Sequence, residues 1–254
     1  MLPRAKKSLG QNFLVEESYV RRIVDALGPR GDETVVEVGP GRGALTGRLV
    51  GMAGRVVAVE FDRELAAYLR GRFAGAANFE LVEADALEVD FCGRVAPAAS
   101  ARVVANLPYN ISTAVVQRLV SQRRCLPEMV LMLQREVVER LTAAPGSAAR
   151  GFLSVLVQAH CEAEALFDVP PGAFRPVPKV WSTVVRLRAR ERAELGAAGE
   201  EFFRAVVGAG FAQRRKTILN NLRAAPAGLR ARVEAAGGGL AVLEAAGVEP
   251  HRRA

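Results

Sequence analysis

Short apolar runs alternate with amphipathic stretches along the first two thirds of the chain. Val35-Val36-Glu37-Val38, Val56-Val57-Ala58-Val59, Phe79-Glu80-Leu81-Val82, Val103-Val104-Ala105 and Met129 to Leu133 each read as a strand, the first of them short and buried. Between them, helical spacing predicts helices over Glu16 to Leu27, Ala44 to Val50, Asp62 to Phe73, Thr113 to Ser121 and Glu136 to Leu141. Gly28-Pro29 stops the first helix, and Ser112 is a candidate N-cap. Regular βα alternation predicts a parallel sheet covered on both faces, with right-handed crossovers. After the loop Ala143 to Arg150, Leu153 to Ala159 reads as another helix. Glu164 to Phe167 and Thr183 to Leu187 read as an antiparallel pair closing the sheet edge, joined by the Pro-rich segment Pro170 to Pro178. Beyond about Arg190 the strands stop. Glu200 to Phe211, Arg214 to Arg223, Leu229 to Ala236 and Leu240 to Ala246 read as short helices. The expected architecture is an α/β domain over residues 1–190 and a small all-helical domain over 191–254.

Composition narrows the class. The chain has 254 residues, half of them apolar, enough for one large domain plus a small one. No apolar run reaches the roughly 18 residues that span a bilayer. Met1 to Gln11 is basic and lacks the apolar core of a signal peptide. Cys92, Cys125 and Cys161 are odd in number and unpaired by spacing, which fits a reducing cytoplasm and supports neither a disulfide framework nor a zinc site. His160 and His251 have no ligand-spaced neighbours, so no metal is expected. Net charge is +8, and Arg175 to Ala254 carries 15 basic against 7 acidic side chains. A basic lobe beside a near-neutral one suggests a polyanionic partner held by one part while chemistry is done by the other.

Candidate chemistry gathers at the strand ends. Glu37-Val38-Gly39-Pro40-Gly41-Arg42-Gly43 follows the first strand, and its glycines allow close approach of a ligand. The spacing differs from the dinucleotide pattern G-x-G-x-x-G. Glu60 ends the second strand, where a carboxylate accepts both hydroxyls of a ribose. Asp85 follows the third, where it accepts an amino proton of an adenine, with Ala86 and Leu87 beside it. Asn106-Leu107-Pro108-Tyr109 follows the fourth. The Asn106 side-chain carbonyl and the Leu107 main-chain carbonyl accept the two protons of a flat amino group. Pro108 removes a competing donor, and Tyr109 offers a stacking face. Hydride transfer has no use for such a clamp; methyl transfer to a nucleobase amine does.

With these motifs in family order, the chain resembles the adenine-N6 dimethyltransferases of small-subunit ribosomal RNA. The resemblance is carried by Lys7-Ser8-Leu9-Gly10-Gln11-Asn12-Phe13-Leu14, by Glu37 to Thr46, by Asn106 to Thr113, by Phe174-Arg175-Pro176-Val177-Pro178-Lys179-Val180, and by Arg214-Arg215-Lys216-Thr217. It implies a Rossmann-like S-adenosylmethionine-dependent methyltransferase domain with a basic N-terminal arm. Asn12, Leu14, Gly39, Gly41, Glu60, Asp85 and Asn106 would line the cofactor site. Asn106, Leu107, Pro108 and Tyr109 would hold the target adenine, with Phe174 sandwiching it against Tyr109. Lys6, Lys7, Arg214, Arg215 and Lys216 would meet RNA phosphates.

The implied function is dimethylation of adenines in small-subunit rRNA during ribosome biogenesis, two adjacent ones near the 3′ end by resemblance. The implied setting is a cytoplasmic monomer acting on a 30S precursor, with no membrane partner. Alternatives are a large-subunit rRNA methyltransferase of the antibiotic-resistance type, an assembly factor acting mainly by docking, and a DNA adenine methyltransferase. Two positions depart from the family. Arg150 precedes Gly151-Phe152-Leu153-Ser154 where an aromatic residue is frequent, and the sequence ends at Val248 to Ala254 where relatives usually add a helix.

Overall fold

The computed structural model describes residues 2–191 and 199–253; the segment 192–198, just after the expected domain boundary, and residues 1 and 254 lie outside the described residues. The chain divides into two compact units, 1–142 with 160–191 and 143–159 with 192–254. The helix expected at Leu153 to Ala159 therefore goes with the second unit, although it precedes the last strands of the first.

The first unit is built on seven strands: β2 (Thr34–Val38), β3 (Arg55–Glu60), β4 (Phe79–Glu83), β5 (Arg102–Asn106), β6 (Glu128–Gln134), β7 (Cys161–Val169) and β9 (Ser182–Ala189). Their order is β4-β3-β2-β5-β6-β9-β7. The first five are parallel; β9 runs antiparallel to both β6 and β7. Every residue of β2 is buried, as a central parallel strand covered on both faces requires, and this explains its near-continuous β-branched run. The order reverses between β2 and β5, so the loops leaving these strands open a crevice at their C-terminal ends.

Helices α1 (Glu17–Leu27), α2 (Thr46–Leu49), α3 (Arg63–Arg72), α4 (Phe91–Val95), α5 (Ser112–Ser121) and α6 (Arg135–Leu141) belong to this unit. α1 buries Val20, Ile23, Val24 and Leu27, one stripe at helical spacing, and packs against β5 and β6. Each such side chain contributes roughly 1.5–3 kcal/mol on burial. Gly28 ends α1 in the left-handed region at φ 59°, donating to the Val24 carbonyl. A further two-stranded pair, β1 (Phe13–Leu14) with β8 (Phe174–Arg175), ties the N-terminal arm to the Pro-rich segment; no local pattern announces it.

The second unit contains α7 (Phe152–Gln158), α8 (Gly199–Phe211), α9 (Ile218–Arg223), α10 (Ala227–Ala235) and α11 (Gly238–Ala245). Ala209, Ala225, Leu229 and Val233 form one small core and Leu219, Leu222 and Leu243 another. Thr217 caps α9 by accepting from the Asn220 N–H. Arg150 donates to the Ala143 carbonyl and to Gln158 Oε1, each at 2.6 Å, so at this departure from the family a guanidinium ties the loop to α7.

Two local expectations are corrected. Ile111, not Ser112, is the N-cap of α5; the Ser112 hydroxyl instead donates to the Tyr109 carbonyl. Cys92 and Cys125 form a disulfide, because α4 and the loop before β6 bring their Cα atoms to 5.5 Å across 33 residues of chain. Linear spacing carries no trace of that approach, so the cysteine pattern loses its force as an argument about compartment. Cys161 is a free, buried thiol pushed up to about 11 by desolvation. No helix among the described residues is long and apolar enough to cross a membrane.

Candidate active site

A cleft of about 1270 Å³, counting open solvent at its mouth, lies at the C-terminal ends of β2, β3 and β5 and beyond β4. Gly39 and Gly41 bring the β2 loop into it at φ 68° and 57°, a conformation in which side chains are strained. Adding a Cβ at Gly41 would place it 3.0 Å from the Phe13 ring, so the arm closes on this loop.

Glu60 anchors the floor. Its two carboxylate oxygens accept from the N–H groups of Gly41 at 3.1 Å and Asp62 at 2.9 Å. Lone pairs on both oxygens remain for a diol. Desolvation raises its pKa, opposed by the N–H donors. Behind it, Glu37 is fully buried and accepts the Thr46 hydroxyl at 2.6 Å. Desolvation lifts its carboxyl to about 7, with Glu60 adding to the rise and Thr46 opposing it. Asp85 accepts the Leu87 N–H through Oδ1, leaving Oδ2 for a ligand, and Ala86, Leu87 and Phe61 line the cleft beside it.

Glu37 makes stability pH-dependent in an unusual direction. Its folded pKa lies above the unfolded value, so its contribution is complete in acid and disappears as pH rises through about 7. Between pH 5 and pH 8 the protein is expected to lose on the order of 2–3 kcal/mol from this group. Urea unfolding at both pH values checks it: Glu37→Gln should flatten the difference, and an unchanged slope would refute the assignment.

Asn106, Leu107 and Tyr109, expected to hold the amine, come together where β5 ends. Asn106 Nδ2 donates to the Asn12 main-chain carbonyl at 3.1 Å, which leaves Oδ1 as the end able to accept. The Leu107 N–H is taken by the Met132 carbonyl, while its own carbonyl accepts no bond among the described residues. The Tyr109 hydroxyl lies 2.7 Å from Ser182 Oγ, itself fully buried, so the ring is held at both ends. Desolvation raises the phenol pKa, with Ser182 opposing.

The N-terminal arm is latched over the cleft. Lys6 Nζ and Gln11 Nε2 bond the two oxygens of Asp62 at 2.7 and 3.0 Å, and Asp62 also caps α3 through the Glu64 N–H. Burial alone would raise the Asp62 pKa, but Lys6, Gln11 and the Glu64 N–H outweigh it and hold the carboxyl below its ordinary value. Arg42 donates to the Pro3 carbonyl at 2.7 Å and stacks on Phe13, 4.4 Å from the ring centre. Asn12, whose carbonyl orients Asn106, is thus held by an arm that Asp62 secures.

The family model described as ribosomal RNA adenine dimethylase matches residues 3–236. The chain belongs to that family. Among curated relatives, the ribosomal RNA small subunit methyltransferase A of Hahella chejuensis is 45% identical over 87% of this chain and 81% of its own length. The protein of the same name from Xanthomonas campestris pv. campestris is 48% identical over 86% and 83%. A dimethyladenosine transferase from Plasmodium falciparum superposes with a TM-score of 0.74 at 25% identity, over 94% of this chain and 83% of that one. The 23S rRNA methyltransferase ErmE superposes with a TM-score of 0.69 at 31% identity, over 94% and 92%. This rRNA adenine dimethylase is therefore a Rossmann-like methyltransferase with an appended helical region.

Of the residues singled out from sequence, Asn12, Leu14, Gly39, Gly41, Glu60, Asp85, Asn106, Leu107, Pro108 and Tyr109 all line one cleft. Phe174 does not. It is fully buried in the hydrophobic core, its backbone paired with Leu14, and is not among the residues lining the cleft. Lys6 is engaged by Asp62 and Glu64 rather than displayed for phosphate. Lys7, Arg214, Arg215 and Lys216 are exposed, with Arg214 also donating to the Ala148 and Arg150 carbonyls within the second unit. Sequence reading missed Asp62, Gln11, Phe61 and Ser182. Only Asp62 left a signal, as a helix-capping residue two positions after Glu60.

Proposed function

We propose that this dimethylase uses S-adenosylmethionine to methylate adenine N6 twice in small-subunit rRNA, acting as a cytoplasmic monomer on a 30S precursor. The observation that carries the reading is the Asn106 amide, tied to Asn12 through nitrogen so that its oxygen is left to accept an amine proton.

The donor set fits the cofactor. Glu37, Glu60 and Asp85 line the cleft against a single cation, Arg42, whose guanidinium is already spent on Pro3 and Phe13. Glu60 and Asp85 repel a pyrophosphate and favour a positively charged ligand, whereas Glu37, lifted to about 7, is only partly ionised near neutral pH. Glu60 would take the ribose hydroxyls, Asp85 the adenine amino group, and Gly39 and Gly41 would let the methionyl part lie against the backbone. When bound, S-adenosylmethionine supplies a methyl group made electrophilic by its cationic sulfur.

The chain's own residues then act by orientation. The lone pair of adenine N6 is delocalised into the ring. Accepting its two protons at Asn106 Oδ1 and the Leu107 carbonyl favours a pyramidal nitrogen and aims the lone pair. Pro108 presents no competing N–H. The base must leave its stack, at a cost of a few kcal/mol, partly offset by the Tyr109 ring. The proton of the methylated amine leaves afterwards to solvent, so no general base is required. Lys7, Arg215 and Lys216 supply phosphate contacts, and the compartment follows from the substrate rather than from the cysteines.

The small-subunit reading is favoured over the large-subunit one by the relatives at 45% and 48% identity, against 31% for ErmE. Transfer of labelled methyl to undermethylated small subunits, with large subunits and duplex DNA as controls, tests it. Label confined to small subunits is expected; label in large subunits or DNA would reassign the substrate.

A further inference from the structure

Trp181 immediately precedes β9, beside the C-terminal end of β6. It is the only tryptophan in the chain and is 45% exposed. It immediately precedes Ser182, the residue that holds the Tyr109 hydroxyl. Its carbonyl accepts the Arg135 N–H at 3.0 Å, at the end of the β6–β9 pairing where Gln134 meets Ser182. The Arg135 guanidinium lies over the indole, 4.8 Å from the ring centre. It is held there by Asp168, at 3.0 Å, whose other oxygen accepts the Thr183 hydroxyl.

An exposed indole is costly unless something covers it. Here the Arg135 guanidinium, braced by a carboxylate, lies over the ring, and nearly half of the residue is exposed. Val177 and Val180 are exposed in the same segment, at 57% and 41%, and Lys179 between them is also exposed. Aromatic surface interleaved with cations fits single-stranded nucleic acid, where bases stack and phosphates pair. With Phe174 buried, Trp181 is also the nearest exposed aromatic ring in sequence to the buried anchor of Tyr109.

We propose that the Trp181–Arg135 stack is a binding shelf for an unpaired base of the RNA substrate that flanks the adenine held at Tyr109. The proposal rests on reading the cleft as an rRNA methyltransferase site. The shelf would keep the strand splayed, so that the target base is presented already unstacked on one side. Its contribution is to RNA binding, with Asn106 and Leu107 left to govern the methyl-transfer step.

The lone tryptophan makes the test direct. Intrinsic fluorescence of the full-length protein is titrated with a single-stranded octa-adenylate, and binding is followed independently by anisotropy of a labelled copy. Saturable quenching that tracks binding is expected, with little quenching by an abasic strand of equal length. Trp181→Ala should weaken octa-adenylate binding and raise KM for undermethylated small subunits about tenfold, the scale of one lost base stack, with kcat unchanged. Trp181→Phe should recover most of the loss.

Binding without quenching, or an unchanged KM in Trp181→Ala, overturns the shelf. So does a Trp181→Ala defect on small subunits with unchanged affinity for the octa-adenylate, which would assign the indole to a protein contact. Base-dependent quenching by a wild-type protein that transfers no methyl would support the shelf and refute the functional reading, so the two fail separately.

Discussion

Replacing Asn106 by alanine is expected to lower kcat for methyl transfer by about 100- to 1000-fold, the scale on which a single preorganised polar group at a reacting centre acts. Asn106 holds the arm through Nδ2 and leaves Oδ1 for the substrate amine, so one side chain joins the N-terminal arm to the proposed clamp. Its loss removes an acceptor that matters most when N6 becomes pyramidal, which places the defect in kcat rather than in RNA affinity. The fold should survive. The residue is only partly buried at a strand end, and one hydrogen bond contributes about 1 kcal/mol. Single-turnover transfer, alongside circular dichroism and RNA binding, separates these effects. A wild-type rate in a folded variant would remove Asn106 from the clamp.

Tyr109→Ala is expected to cost about 10- to 100-fold in kcat/KM through the lost base stack. Tyr109→Phe keeps the ring but leaves the buried Ser182 hydroxyl without its 2.7 Å partner. That change should cost about 1 kcal/mol of stability and no more than roughly fivefold in activity. The contrast between the two variants is informative. If phenylalanine is as inactive as alanine, the hydroxyl rather than the ring carries the effect, and the stacking role is wrong.

The parts of the molecule legible in the sequence are those set by local pattern. The five apolar runs became β2 to β6, although the edge strand β4 buries only Val82, and the Gly28 stop appears as a left-handed cap. The acids after successive strands converge because parallel strands share one C-terminal edge, so a position in the linear pattern already implies a position in space. Asn106-Leu107-Pro108-Tyr109 is legible for the same reason, being contiguous.

What was illegible depends on long-range approach. Phe13 and Leu14 pair with Arg175 and Phe174 across about 160 residues, a register that neither segment reveals. That pairing buries Phe174 in the core, away from the cleft lining where motif resemblance placed it. The Cys92–Cys125 bond, the Lys6–Asp62–Gln11 latch and the Ser182 anchor likewise join segments distant in sequence. Lys6 illustrates the cost of reading charge alone. In sequence it is one more basic residue of a basic arm; in the fold its ammonium neutralises a carboxylate whose side chain is only 1% exposed.

The central claim is chemical: the cleft delivers methyl groups to adenine N6. It is tested most directly by digesting reacted small-subunit rRNA to nucleosides and identifying the labelled product by mass. N6,N6-dimethyladenosine, absent when Asn106→Ala replaces the wild-type enzyme, is the predicted result. Label on a ring nitrogen, on a ribose hydroxyl or on another base would contradict the amine clamp.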